Sequence, residues 1–402
     1  MTDHVFYILC ISTSAALLAY IVLWSVLQTF NASVTKRFMR IWVKLLLYYT
    51  AYTMPVWIVW LVLGWSQDVL PVLAQLSASS VLIAILVMGL YFYAAVVQPN
   101  RLRVEHHAVD LNLSTPLTVA VLADLRIGLY SGKPRHIRKL VATINELSVD
   151  AVLITGDWLY YPSADLVGQM MLFKAVNKPV YTVMSTSDLC YQSINTTNQG
   201  QPLLEDTLAK AFDVLDISYI GQQCTSLPLK CMGTVDSRPL TSSLGVAIDT
   251  QESISQKEVD TKSVVAALCG WQDMPKKLTD NEDSNTAAKV ALGANIASAT
   301  KPVIILASRF DSLSDLPKSL QPRPLLITGA AKASQKSMWL GQRNQEVHRR
   351  DKRSTMLNNS RMGQQRGLYQ HGNAQIFISS GIGTRGLPFR LYRPTIDVLT
   401  IR

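Results

Sequence analysis

Charge is scarce in this chain. Only 16 % of its 402 residues are Asp, Glu, Lys or Arg, against roughly 25 % in ordinary soluble proteins. Acidic residues are almost missing from the first 100 positions, which hold only Asp3 and Asp68 beside four basic residues, Lys36, Arg37, Arg40 and Lys44. With 49 % apolar residues, that scarcity excludes a purely soluble enzyme and a disordered chain. Cysteine is scarce as well: there are five, an odd number, with no Cys-x-x-Cys pair. Neither a zinc signature nor a disulfide framework is expected, and the thiols read as buried and free. Only six histidines are present, which limits any imidazole-built metal centre.

What is abundant is long apolar sequence. Three stretches, about 5–30, 41–65 and 69–97, approach or exceed the roughly 20 residues a helix needs to cross a bilayer. The chain therefore reads as a membrane domain over 1–100 and a second domain over 101–402. The first linker carries Lys36, Arg37 and Arg40, the second offers only Asp68, and Arg101 and Arg103 follow the third stretch. Positive charge stays on the cytoplasmic side, so the expected topology is a multi-pass protein of the inner membrane with residues 101–402 in the cytoplasm. Lys44 near a helix end is expected to snorkel to the headgroups, and the helices read as an anchor rather than a transport path.

Beyond residue 100 the pattern changes to short apolar runs alternating with helical periodicity. Strands are expected at Leu117–Ala123, Ala151–Thr155 and Val180–Met184, with helices over Ile137–Leu147 and Ala164–Val176 between them, an order that implies parallel pairing. Further strands are expected at Ser263–Leu268, Val303–Ala307, Leu325–Thr328, Gln375–Ser379 and Thr395–Ile401. Two polar or basic stretches, about 272–300 and 336–367, read as insertions.

In a parallel sheet, residues just past the strands' carboxyl ends face the ligand crevice. Those tips are Asp124-Leu125-Arg126, Gly156-Asp157, Ser185 to Asp188, Ser308 to Asp311 and Gly329 to Gln335. Four of them contain an aspartate, a pattern suited to hard cations or phosphate. The tail Gly367-Leu368-Tyr369, Gly381-Ile382-Gly383-Thr384, Pro388, Arg390, Arg393 and Pro394 completes a recognisable series.

With these tips and this tail, residues 101–402 resemble the calcineurin-like metallophosphoesterases, in particular the branch with an N-terminal membrane segment. The resemblance implies an α/β fold in which the transmembrane helices precede a four-layer α/β/β/α sandwich. It also implies a site for two cations with seven ligands, of which Asp124 and Asp157 are retained. The other ligand positions hold Arg126, Thr186, Ser308, Ala330 and Lys332; the family's catalytic histidine is replaced by Ser187, and Asp188 keeps a supporting role. The histidines His4, His106, His107, His136, His348 and His371 all fall away from the strand tips, so a relocated metal site is not expected.

Three readings of the altered site follow. Arg126 or Lys332 replaces the missing metal charge between Asp124 and Asp157, which would otherwise repel; or the site has drifted and both cations face solvent; or Arg126, Arg309 and Lys332 form an anion pocket. The expected function is a membrane-anchored phosphoesterase homologue that is inactive as a dimetal hydrolase and needs no cofactor. It would act by binding a phosphorylated ligand, a lipid headgroup or a protein partner. The alternative is a metal-dependent phosphoesterase acting on a phospholipid-like or sugar-nucleotide lipid, with one weakly bound divalent cation on Asp124, Asp157 and Thr186. The basic stretch from Lys336 to Arg366 suits anionic lipid at the membrane or a solvated loop; it lacks the features of a nucleic-acid site.

Overall fold

The structure is a computed structural model that describes residues 2–31, 38–66, 77–131, 133–162, 166–185, 187–188, 204–221, 223–228, 264–271, 302–308, 324–329, 366–371, 374–384, 386–390 and 392–402. Three helices lead the chain: α1 (Thr2–Asn31), α2 (Phe38–Ser66) and α3 (Ala78–Phe92), the last continued by a π turn, Tyr93–Val97, and a 3-10 turn, Gln98–Asn100. All three are long and apolar enough to cross a membrane, over Ile8–Phe30, Phe38–Trp65 and Ala78–Asn100. Their large apolar side chains, such as Leu82, Leu86 and Leu90, are exposed. In water that surface would be costly; against lipid it needs no protein cover.

The remainder is mixed α/β. Its elements are β1 (Arg103–Val109), β2 (Leu117–Leu122), β3 (Ile127–Gly128), α4 (Pro134–Glu146), β4 (Ala151–Ile154), β5 (Leu159–Tyr160) and α5 (Leu166–Met170), which runs on as a 3-10 turn. Then come β6 (Val180–Thr182), α6 (Leu204–Val214), β7 (Ile217–Tyr219), β8 (Cys224–Pro228), β9 (Val264–Trp271), β10 (Val303–Ala307), β11 (Leu325–Gly329), β12 (Gly367–His371), β13 (Ala374–Ser379) and β14 (Thr395–Ile401). One six-stranded sheet has the order β1-β14-β2-β4-β6-β7, a second the order β12-β13-β11-β10-β9-β8, and β3 pairs with β5. The expected parallel run β2-β4-β6 is present and extends to β7.

Period-two alternation explains the layers. From β2, Leu117, Val119 and Val121 face the second sheet and meet Ile304, Leu306, Leu325, Ile327 and Phe377 in a shared core. Ala120 and Leu122 point the other way, onto Ile137, Leu140, Val141 and Ile144 of α4 and onto Phe212 of α6. The spacing of those four α4 residues presents one apolar face, while Arg135, Arg138 and Lys139 remain exposed. Each Leu or Ile so buried contributes about 1.5–3 kcal/mol. The outer face of the second sheet, with Val303, Ile305, Leu326 and Ile376, is buried too. Helix, sheet and sheet thus form three described layers.

Several expectations need correction. The first strand lies earlier than the expected Leu117–Ala123: β1, an edge strand paired in parallel with β14, carries His106 and His107. The helix expected over Ala164–Val176 is a five-residue α turn followed by a 3-10 turn. The insertion expected to run to Gly367 ends earlier, because Gly367 opens β12; the remainder of it, the whole of 272–300, and the start of the third apolar stretch lie outside the described residues. Cysteine was misread most plainly. Cys224 and Cys269 form a disulfide between β8 and β9, where the antiparallel register places them directly opposite. Their separation of 45 residues corresponds to a loop-entropy stabilisation of about 4 kcal/mol. Cys10 is the one free cysteine among the described residues.

Candidate functional site at the strand tips

The carboxyl ends of both sheets meet at one place. Past β2 lies Asp124, past β4 Gly156 and Asp157, past β6 Ser185 and Asp188, past β10 Ser308 and past β13 Gly381. Their proximity is set by glycines. A Cβ on Gly381 would stand 2.7 Å from the Asp124 Cβ, one on Gly383 would stand 2.6 Å from the Arg126 Cβ, and one on Gly156 would approach Ser308 at 3.3 Å. Backbone hydrogen bonds tie the tips together: Ile382 N–H donates to Ala123 O (2.9 Å), and Arg126 N–H donates to Asp157 O (2.9 Å).

The backbone here is strained. Asp124, Arg126 and Asp157 all have positive φ, at 53°, 49° and 52°, a region that costs an L-residue roughly 1–2 kcal/mol. Such strain persists only where surrounding structure enforces it, and it clusters at functional sites. Turning each of the three residues this way directs its side chain into the same small volume.

There the expected charge compensation takes shape. The Arg126 guanidinium lies 3.1 Å from Asp124 Oδ2 and 3.5 Å from Asp157 Oδ2, with all three side chains almost fully buried. Solvent-facing drift is therefore excluded for Arg126. Burial pushes the Asp124 carboxyl up to about 7, with Asp157 adding to the rise and Arg126 and Arg390 opposing it. Burial alone would lower the Arg126 guanidinium, but the two carboxylates overcome it and hold the proton on. Asp188 is likewise pushed up to about 6 by burial and by Asp157. The cluster thus holds its cation firmly and does not favour full ionisation of its acids at neutral pH.

Asp188 ties the tip to its neighbours. Its Oδ1 accepts from Leu159 N–H (3.0 Å), and its Oδ2 accepts from the Ser185 N–H and hydroxyl (2.9 Å each). Ser187 sits beside it, half-buried. Ser308 is buried against Gly156. Thr186, Arg309, Ala330 and Lys332 lie outside the described residues, so the geometry of the wider anion pocket and of the Lys332 contact is not described.

Arg390 carries a role that motif reading left unassigned. Buried at 5 % exposure, it donates through Nη1 to Ile382 O (2.6 Å) and Gly383 O, through Nη2 to Gly381 O (3.0 Å) and through Nε to Tyr392 O (3.3 Å). It fastens the glycine turn that closes over Asp124 and Arg126. Burial, with Arg126 nearby, lowers its guanidinium to about 10.

A dimetal centre does not fit this donor set. Two carboxylates are present, but a guanidinium stands against both, and a guanidinium has no lone pair to offer a metal. Elsewhere, His107 lies 3.4 Å from Asp397 and 3.9 Å from Glu105. Those acids already have partners: Glu105 pairs with Arg103 (3.2 Å) and Arg366 (3.0 Å), and Asp397 accepts the Ser379 hydroxyl (2.5 Å). That cluster is a charge-balanced edge of the first sheet.

In comparison with known proteins, no family model matches the chain and no curated protein matches it.

Proposed function

We propose that this is a membrane-anchored protein whose second domain is a calcineurin-like phosphoesterase sandwich that no longer hydrolyses phosphate through two metals and acts by binding. The observation that carries the reading is Arg126, set within 3.1 and 3.5 Å of both surviving family carboxylates. A fixed cation there supplies the charge balance that metal ions would otherwise supply, without their capacity to generate hydroxide. Since Arg126 is 5 % exposed and engaged with two acids, its charge is spent inside the protein. Anion recognition then falls to other surfaces.

The test uses the full chain in detergent micelles, exposed to manganese, iron or zinc and then freed of loose ions. Expected are well under one ion per chain and no metal-stimulated cleavage of a generic phosphodiester such as bis(p-nitrophenyl) phosphate. Two tightly held ions, or cleavage that Asp157→Asn abolishes, would establish the working phosphoesterase instead.

The cytoplasmic side is proposed for the second domain. Insertion follows the basic first linker, and Lys44 at that end of α2 donates to the Tyr160 hydroxyl (2.5 Å), which fits the linker and the domain sharing one side. The Cys224–Cys269 bridge pulls the other way, because bridges persist in oxidising compartments. The cytoplasmic reading rests on the charge layout of the linkers. A reporter active only outside the cell, fused after Arg402, is expected to stay silent; strong activity would place the domain outside.

A further inference from the structure

A second site lies where the second domain meets the helices. A cavity of about 70 Å³ opens there, lined by Tyr48 and Tyr52 of α2, Asn100 at the end of α3, Tyr130, and His136 and Lys139 of α4. Its depth relative to a bilayer can be read from helix lengths. From Lys44 to Trp65 is 21 residues, or about 32 Å of α-helix, which matches a hydrocarbon core of about 30 Å. The Tyr91 hydroxyl donates to Leu47 O (2.7 Å), fixing α3 at the same level. On the scale of α2, Tyr48 lies about 6 Å and Tyr52 about 12 Å inside Lys44, so the tyrosines line a recess that runs from the headgroup boundary into the hydrocarbon region.

The rim is basic and one-sided. Lys133, Arg135, Arg138 and Lys139 are exposed, His136 is half-buried, and the next acid along α4 is Glu146 at its far end. Lys133 Nζ is held over the rings of Tyr48 (4.8 Å) and Tyr52 (5.2 Å), and Lys139 Nζ donates to Asn100 O (3.1 Å). Lys139 lines the cavity and Lys133 rests on two of its walls, Tyr48 and Tyr52, and each ammonium keeps donors for a ligand. His136 is held below its usual range by burial and then by Lys133, Arg135 and Lys139, as expected in a positive local field.

We infer that this junction binds an anionic phospholipid of the surrounding bilayer, with its phosphate between Lys133 and Lys139 and its glycerol region in the tyrosine-lined cavity. An apolar recess that runs inward from headgroup depth, with cations beside it, complements such a lipid. A zwitterionic lipid brings a choline cation that this rim repels. The inference requires α1 to α3 to lie in a membrane and does not depend on the state of Arg126 or on metal binding.

The experiment titrates the full chain in neutral detergent micelles with dihexanoyl phosphatidylglycerol, dihexanoyl phosphatidylcholine or inorganic phosphate, and follows the thermal midpoint. Phosphatidylglycerol should raise the midpoint saturably, while the other two should leave it unmoved at equal concentration. Lys133→Ala and Lys139→Ala should each weaken that binding about five-fold, since a basic residue near such a surface is worth about 1 kcal/mol. Lys210→Ala, on the exposed face of α6, should not weaken it. Both lysines are exposed, so these variants are expected to fold, and an unchanged midpoint without lipid verifies it. Equal stabilisation by phosphatidylcholine or by inorganic phosphate, or full affinity in the Lys133→Ala/Lys139→Ala double variant, would overturn the inference.

Discussion

Arg126 and Lys44 are both drawn out of bulk water, and the protein treats them differently. Arg126, at the strand tips, is met by carboxylates at 3.1 and 3.5 Å. Lys44, at the membrane junction, is met by the Tyr160 hydroxyl and by the faces of Tyr160 and Tyr161, each 5.0 Å from its Nζ. A fully buried guanidinium needs opposite charge, because desolvating an ion costs several kcal/mol and dipoles repay only part of it. A half-buried ammonium keeps part of its hydration, so ring faces and a phenol are useful partners for it. Cations paired with acids are neutralised within the fold, whereas Lys133, resting on the Tyr48 and Tyr52 faces, is not neutralised by those contacts.

The largest effect expected from breaking this comparison is at Arg126. Arg126→Ala leaves Asp124 and Asp157 buried without their cation and should cost about 3–5 kcal/mol, read as urea unfolding of the full chain in micelles. Adding Asp157→Asn should cost less than the two single losses together, since the two side chains share one interaction. Additive, near-neutral losses would mean that the cluster contributes nothing to stability.

Next is the pH dependence of the same cluster. Asp124 rises from 3.8 to about 7 on folding. Between those values the folded chain keeps a proton that the unfolded chain has released, so stability is highest at the acid end and falls as pH rises. About three pKa units correspond to roughly 4 kcal/mol across the window, and Asp188, raised to about 6, adds to the fall. Asp124→Asn should flatten the slope; an equally steep slope in that variant would assign the titration to another group.

The smallest effect belongs to the junction. Lys44→Met removes the ammonium from the Tyr160 and Tyr161 faces and should cost about 0.5–2 kcal/mol. A loss as large as that of Arg126→Ala would erase the distinction between the two environments.

Much of the architecture was legible because it rests on hydrophobic period and length. Leu117–Leu122, Val303–Ala307 and Thr395–Ile401 announce themselves as short apolar strands, and the three leading helices by long apolar runs. β1 did not, since Arg103, Glu105 and His107 give an edge strand a polar, half-exposed face. β7 is short and β8, Cys224–Pro228, carries too few apolar residues for a period to show. At the site, the proximity of Asp124, Arg126 and Asp157 followed from their places after parallel strands. Their left-handed backbone did not, because Asp visits that conformation only occasionally and Arg has no preference for it.

By itself the sequence determined the division into an apolar helical part and an α/β part, the parallel core strands, and the aspartates and arginine at the tips. These are local properties, carried by composition, period and position relative to a strand end. Tertiary structure decided the rest: that Arg126 faces inward, that Arg390 clamps the glycine turn, that Cys224 meets Cys269, and that tyrosines from α2 and from the second domain line a cavity together with Lys139. Each of these joins elements distant in sequence or depends on register and burial. Electrostatic interactions change severalfold with the surrounding dielectric, so their meaning exists only once the chain has folded around them.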